Sequence, residues 1–154
     1  MVKCARRFPV VITTNGGYPL DQNLYQSVKG ISAAAQIVSD GGLIIAVSEC
    51  ADGFPAHGNF ARLLFDHKSP QAILETILKP GFSMYDQWEA QLLAMIQVRA
   101  KVALFSALPA GEVRRAHMDY VENLDEYLMA VMRRLGADTP VAVLPDGPLT
   151  IPEI

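Results

Sequence analysis

Tyr25, Gln26 and Lys29 bring a phenol, an amide and an ammonium into one short polar stretch. Tyr25 and Lys29 are four residues apart and share one side of a helix; Gln26 is three before Lys29, about a quarter-turn round from Tyr25. Converging there, the three could grip the carboxylate or phosphate of a small acid. The same spacing also fits a solvated helix face. Just upstream, Asn15, Gly16, Gly17 and Tyr18 form a turn leading to a helix N-terminus. There, glycine lets backbone N–H groups approach an anion that the helix dipole favours. The turn is neither Gly-x-Gly-x-x-Gly nor a P-loop, so both nucleotide motifs fail. A tight strand-to-helix turn would need glycine as well.

Other chemistry is sparser. Glu49, Cys50 and Asp52 could be acid/base or ligand groups, although Asp52-Gly53 also makes an ordinary turn. His57, His67 and His117 are scattered without His-x-His or cysteine pairing, so no closed metal site is expected. The absence of Gly-x-Ser-x-Gly leaves a hydrolase triad without support. Trp88, the only tryptophan, fits core or site. Cys4 and Cys50 make neither a zinc pattern nor a disulfide framework and are expected to be reduced thiols.

These residues need elements to hold them. Phe8 to Thr13 is a short apolar, β-branched run fitting a buried parallel strand. Pro19 and Asp21 suit the start of a helix. Its inward face carries Leu24, Val28, Ile31, Ala35 and Val38, and Asp40-Gly41-Gly42 ends it. Leu43 to Val47 is the second strand of a βαβ unit. Helical segments follow over 59–65 and from Ser69-Pro70 to Pro80-Gly81. A long helix opens at Ser83 or Asp86, with Trp88, Leu92, Met95 and Ile96 marking its buried side. Lys101 to Phe105 is a third strand, and a short helix over 109–118 follows. A helix from Asn123 to Leu135 turns Leu124, Leu128, Val131 and Leu135 inward. Pro140 to Leu144 is the fourth strand. The expected fold is a single α/β domain over residues 1–154. It has three α/β/α layers, a mostly parallel sheet of about four strands and helices on both faces. Such sheets bind ligands beyond the C-terminal strand ends, where this chain places its glycine and polar loops.

With 154 residues, 51% of them hydrophobic, the chain can build a proper core. A net charge of −3 argues against nucleic-acid binding. No apolar run approaches the roughly 20 residues of a membrane span. The N-terminus shows no signal-peptide pattern, and a cytoplasmic location is expected.

The string from Ile12-Thr13-Thr14-Asn15-Gly16-Gly17-Tyr18-Pro19-Leu20-Asp21 through Gln22-Asn23-Leu24-Tyr25-Gln26-Ser27-Val28-Lys29-Gly30 resembles the C-terminal domain of the nickel-pincer-dependent lactate racemase family. Glu49-Cys50-Ala51-Asp52-Gly53 and Asp86-Gln87-Trp88-Glu89-Ala90-Gln91 agree, and the resemblance covers nearly the whole chain. It implies a 2-hydroxy acid racemase or epimerase, an isomerase working by reversible hydride transfer. The cofactor implied is a nickel pincer nucleotide, a pyridinium-3,5-dithiocarboxylate mononucleotide carrying nickel. The lysine that attaches it, its metal-binding histidine and two proton-shuttling histidines belong to an N-terminal domain unmatched here. That missing domain is the expected partner, a small 2-hydroxy acid the expected substrate. By position, Tyr25, Gln26 and Lys29 match the C-terminal domain's share of the substrate and cofactor cleft, and Trp88 an aromatic residue near the substrate. Asn15, Gly16, Gly17 and Tyr18 would shape the cleft floor.

The resemblance thus implies no catalytic residue and no metal ligand in this domain. The chain alone is expected to hold no cofactor and to be inactive. The alternative is a stand-alone α/β module binding a small anion or nucleotide without catalysis. A catalytic half should expose an aromatic, apolar face around Tyr25 and Lys29, whereas a self-sufficient module should enclose its own pocket.

Overall fold

The computed structural model describes residues 2–55 and 58–154. A small parallel pair joins the ends of the chain, β1 (Val2–Lys3) beside β7 (Pro152–Glu153). The main sheet contains β2 (Phe8–Thr14), β3 (Val38–Val47), β4 (Lys101–Phe105), β5 (Asp119–Val121) and β6 (Val141–Leu144). All its pairings are parallel, in the order β5-β4-β3-β2-β6. The central strand is therefore flanked by β-branched and aliphatic runs, as burial on both faces demands.

Alternation along the strands separates two cores. Val11, Ile44, Ala46, Val102 and Leu104 face α1 (Leu24–Ala35), α2 (Phe60–Phe65), α3 (Pro70–Ile77), α4 (Gln87–Gln97) and α5 (Ala110–Arg115). Val10, Leu43, Ile45 and Ala103 face α6 (Leu124–Leu135), whose Val131 is buried against them. The expected three-layer domain is present, with one thick helical layer and one thin one.

Local chemistry sets the boundaries. Ser69 Oγ accepts from Ala72 N, and Asn123 Oδ1 from Glu126 N, so α3 and α6 start where capping residues stand. Pro9 occupies the second position of a central strand, where it cannot donate a ladder bond, and the β2–β3 register shifts there. Two arginines close the far end of α1. Arg99 Nη2 donates to Ala35 O, and Arg7 Nη1 donates to Gln36 O at 3.0 Å and Val38 O at 3.2 Å. Guanidinium groups thereby satisfy terminal carbonyls and oppose the negative end of the helix dipole.

Four expectations need correction. First, α1 begins at Leu24, capped by Asn23, because Asp21 is drawn into a loop-to-loop contact. Second, α1 ends before the β-branched pair Ile37-Val38, and β3 already includes Val38. Asp40-Gly41-Gly42 thus lies within a strand. Third, Asp119–Val121 forms a fifth strand, too short to show a period. Fourth, α4 buries Glu89, Ala90, Leu93, Ala94 and Ile96, while Trp88 and Met95 are exposed. On α6, Leu135 is likewise exposed. α4 is rotated from its apolar-only reading because packing partners, and not hydropathy alone, select the buried stripe, whereas α6 keeps Leu124, Leu128 and Val131 on its inward side and, of the four expected there, exposes only its last residue.

Candidate functional site

The loop after β2 is tied into α1 by one side chain. Asn15 is 2% exposed. Its Nδ2 donates to Leu20 O and, at 3.1 Å, to Gln26 O, while its Oδ1 accepts from Gly30 N at 3.1 Å. One amide thus fixes both the Gly16-Gly17 turn and the pitch of the helix carrying Tyr25, Gln26 and Lys29. Gly16 and Gly17 adopt φ +79 and +78, a region that favours glycine, so the turn can reverse without strain. Gly30 has no Cβ because Asn15 Oδ1 would lie 2.6 Å from one.

Asn23 Oδ1 accepts from Gln26 N at 3.0 Å and starts α1. Lys29 then donates from Nζ to Gln26 Oε1 at 2.6 Å, presenting an amide and an ammonium as one exposed unit. The Tyr25 ring meets Phe60 edge-on, centroids 5.4 Å apart, which holds the phenol at the mouth of a hollow of about 290 Å³. Across that hollow stand Tyr85 and Asp86. Asp86 precedes α4 in a left-handed conformation, φ 67, and turns the chain so that Trp88 projects outward. Tyr85 and Trp88 pack edge-on at 6.1 Å. Beside the hollow the aromatic surface is open, Tyr85 being 70% exposed and Trp88 54%, while Tyr18 in the Gly16-Gly17 turn is 76% exposed.

Behind this wall lies a carboxyl that sequence spacing did not single out. Glu89 is 7% exposed, and its Oε1 finds no hydrogen-bond partner among the described residues. Burial pushes the Glu89 carboxyl above the usual carboxylate range, opposed by the Lys29 charge and reinforced by Asp86. The Tyr25 phenol is also pushed up, by burial first and then by Glu89 and Asp86. The available sequence signal was weak: Asp86 and Glu89 are three apart and flank Trp88.

The other candidates separate. Tyr25, Gln26 and Lys29 come together, with Trp88 near Tyr25. Gly17 instead lines a larger crevice of about 490 Å³ beyond the ends of β2, β3 and β4. Its lining includes Thr14, Val47 and Phe105, together with Asp21 and Glu49. Asp21 Oδ2 accepts from Glu49 N at 3.2 Å, and Oδ1 has no partner among the described residues. Cys50 is buried at φ 54, its Sγ 3.5 Å from Ser27 Oγ, and burial pushes its thiol up, away from reactivity. Asp52 N donates to Gln22 O at 2.8 Å in an exposed turn. His67 bonds Leu63 O at 2.8 Å and Thr76 Oγ1 at 2.9 Å, and His117 bonds Leu64 O at 3.0 Å; both are engaged in packing contacts. His57 lies outside the described residues.

Together these features define a parallel α/β domain with a polar and aromatic surface beside the Tyr25 hollow. Its family follows from the whole chain: residues 4–151 match the family model of the lactate racemase C-terminal domain, and the chain belongs to that family. The lactate racemase of Thermoanaerobacterium thermosaccharolyticum is 42% identical over 146 residues, 93% of this chain and 34% of that protein. The lactate racemase of Lactiplantibacillus plantarum is 39% identical over 141 residues, 90% of this chain and 33% of that protein. The solved apoprotein of the Thermoanaerobacterium thermosaccharolyticum racemase superposes with a TM-score of 0.88 at 39% identity. That alignment covers 97% of this chain and 36% of the solved one. The chain therefore spans about a third of the length of the curated relatives it matches, and the remaining two-thirds imply an N-terminal portion in those relatives.

Proposed function

We propose that this chain supplies one wall of the substrate and cofactor cleft of a 2-hydroxy acid racemase or epimerase, acting with an N-terminal domain. The observation that carries this reading is the Lys29–Gln26 unit, 2.6 Å between Nζ and Oε1, set within an open aromatic face. Lys29 holds the substrate carboxylate by charge, and Gln26 fixes the direction of the ammonium. A rigidly held carboxylate fixes C2, the carbon whose hydride must leave and return. Lys29 also opposes the negative charge that the substrate oxygen carries once its hydroxyl proton has left and before the hydride departs from C2. Tyr25 and Trp88 exclude water and shape the space for the side chain of the acid.

The residues present fit the outer edge of a nucleotide cofactor. Tyr25 and Gln26 offer hydrogen-bonding groups at the hollow, whereas no three His, Cys, Asp or Glu side chains gather as metal ligands among the described residues. The nickel pincer nucleotide, when bound, would supply the hydride-accepting carbon. Tyr25 and Gln26 would touch it from this side, while its attachment and the proton shuttle belong to the partner domain. This chain alone is accordingly inactive. The exposed aromatic face supports a catalytic half over a self-contained anion-binding module.

The test is Lys29→Ala in the complete enzyme. KM for the hydroxy acid should rise by roughly tenfold to a hundredfold, the size of a lost charge-assisted contact of about 1.5–3 kcal/mol. Unchanged KM and kcat would remove Lys29 from the cleft.

A further inference from the structure

We propose that the crevice beyond the ends of β2, β3 and β4 is a docking notch for a basic side chain, a guanidinium or ammonium on an aliphatic stem, carried by the N-terminal domain. The proposal rests on the reading above only for the presence of that domain. The crevice encloses about 490 Å³ at the end of the sheet where parallel α/β folds open their clefts. Val47, Phe105 and Ala107 give it apolar walls, and Asp21 and Glu49 bring two carboxyls to it. Among the described residues, no lysine, arginine or histidine lines it. The ion pairs among the described residues, Arg62–Asp66 and Arg99–Asp40, involve neither carboxyl.

Asp21 is built into the crevice. It is 8% exposed. Its N donates to Gly17 O at 3.2 Å, its O accepts from Cys50 N at 2.9 Å, and its Oδ2 accepts from Glu49 N at 3.2 Å. These bonds fix the residue and leave Oδ1 without a partner among the described residues. A buried carboxylate oxygen ordinarily has a partner, because without one its lost hydration is uncompensated. Tying the two loops together needs only one acceptor, which asparagine also offers, so the second oxygen is left for something else. A donor seated in the crevice satisfies Oδ1, and a cationic donor also complements the exposed Glu49. The apolar walls suit the aliphatic stem that lysine and arginine carry below their charge.

Position names the source of the cation. Asp21 lines the crevice, and the next two residues, Gln22 and Asn23, line the hollow beside Tyr25. A domain that closes over the hollow therefore also meets the crevice. The curated relatives carry about two-thirds of their length outside the part matched here, enough for such a domain.

The first experiment uses this chain with ¹³C-methyl-labelled alanine and valine, and N-butylguanidinium as the probe. The Ala107 and Val47 methyl resonances should shift saturably in the millimolar range. Neutral N-butylurea should leave them in place. Asp21→Asn keeps an acceptor for Glu49 N and should abolish the shifts. Ala107 is exposed, so Ala107→Trp fills the crevice with the fold intact and should abolish the Val47 shift even where the first variant fails to fold. No saturable shift, an equal response to butylurea, or an undiminished response in the folded variants overturns the proposal. The second experiment places the same labels in the complete enzyme. There both methyls should already be displaced from their positions in this chain, and the probe should not move them, because the notch is filled. Asp21→Asn should return them towards those positions and lower kcat/KM about tenfold, the loss of one charge-assisted contact. A probe that still moves both methyls in the complete enzyme shows an open notch that takes a free cation, and the docking proposal falls. If Asp21→Asn acts as expected while Lys29→Ala leaves KM and kcat unchanged, the cleft reading fails and the notch stands. The reverse pattern removes the notch and keeps the cleft.

Discussion

Gly30→Ala tests the joint between the sheet and α1. Helix propensity by itself favours alanine over glycine by about 1 kcal/mol. The structure opposes it. The new Cβ would lie 2.6 Å from Asn15 Oδ1, 3.2 Å from Thr14 O and 3.4 Å from Thr13 Oγ1. Backbone at Thr14 cannot move without disturbing β2, so Asn15 must give way. Its amide is buried and makes three hydrogen bonds that join Leu20, Gln26 and Gly30. Displacing it breaks at least the bond from Gly30 N and leaves buried polar atoms unpaired, about 1–3 kcal/mol, while overpacking adds about 1–3 kcal/mol. Subtracting the propensity gain leaves a destabilisation of about 1–5 kcal/mol. For a chain of this size each kcal/mol lowers Tm by about 2–4 °C, so a mid-range loss lowers it by about 6–12 °C. The assay is thermal and urea unfolding of Gly30→Ala, Asn15→Ala and the double variant, followed by circular dichroism. With Asn15 truncated the nearest obstacle is gone, and Gly30→Ala should then be close to neutral. Equal stability of Gly30→Ala and the unsubstituted chain would refute the argument, as would an equal loss in both backgrounds.

Further outcomes follow from the same contacts. Arg99→Ala removes the guanidinium from Ala35 O and should cost about 1–2 kcal/mol, seen as a lower urea midpoint with an unchanged m-value. Trp88→Ala should leave the stability of the chain within about 0.5 kcal/mol, because the ring is largely exposed, while lowering kcat/KM of the complete enzyme. Glu89 has a raised carboxyl, so the folded chain binds that proton more tightly than the unfolded chain does. Its stabilising share is full below the ordinary carboxylate range and is lost as pH rises through the raised value. Glu89→Gln should therefore be more stable than the parent at neutral pH and lose that advantage in acid, as denaturation midpoints across pH will show.

Short-range signals in the sequence determined much of this domain. The β-branched runs at 8–13 and 43–47 form adjacent parallel strands, Ser69 and Asn123 cap helices, and Gly16-Gly17 turns the chain with positive φ. Each depends on backbone sterics or on a bond spanning three residues, so each is local. The grouping of Tyr25, Gln26 and Lys29 follows for the same reason, since helical spacing alone puts them together. Tertiary structure decided the rest. The fifth strand, Asp119–Val121, exists because β4 offers it an edge. Trp88 faces outward and Glu89 inward because α1, α2 and α3 claim the other sides of α4. Asn15, legible only as a turn residue, locks Gly30 fifteen residues away. Sequence period reports which side chains share a face, but the buried face depends on neighbours that fold in from far along the chain.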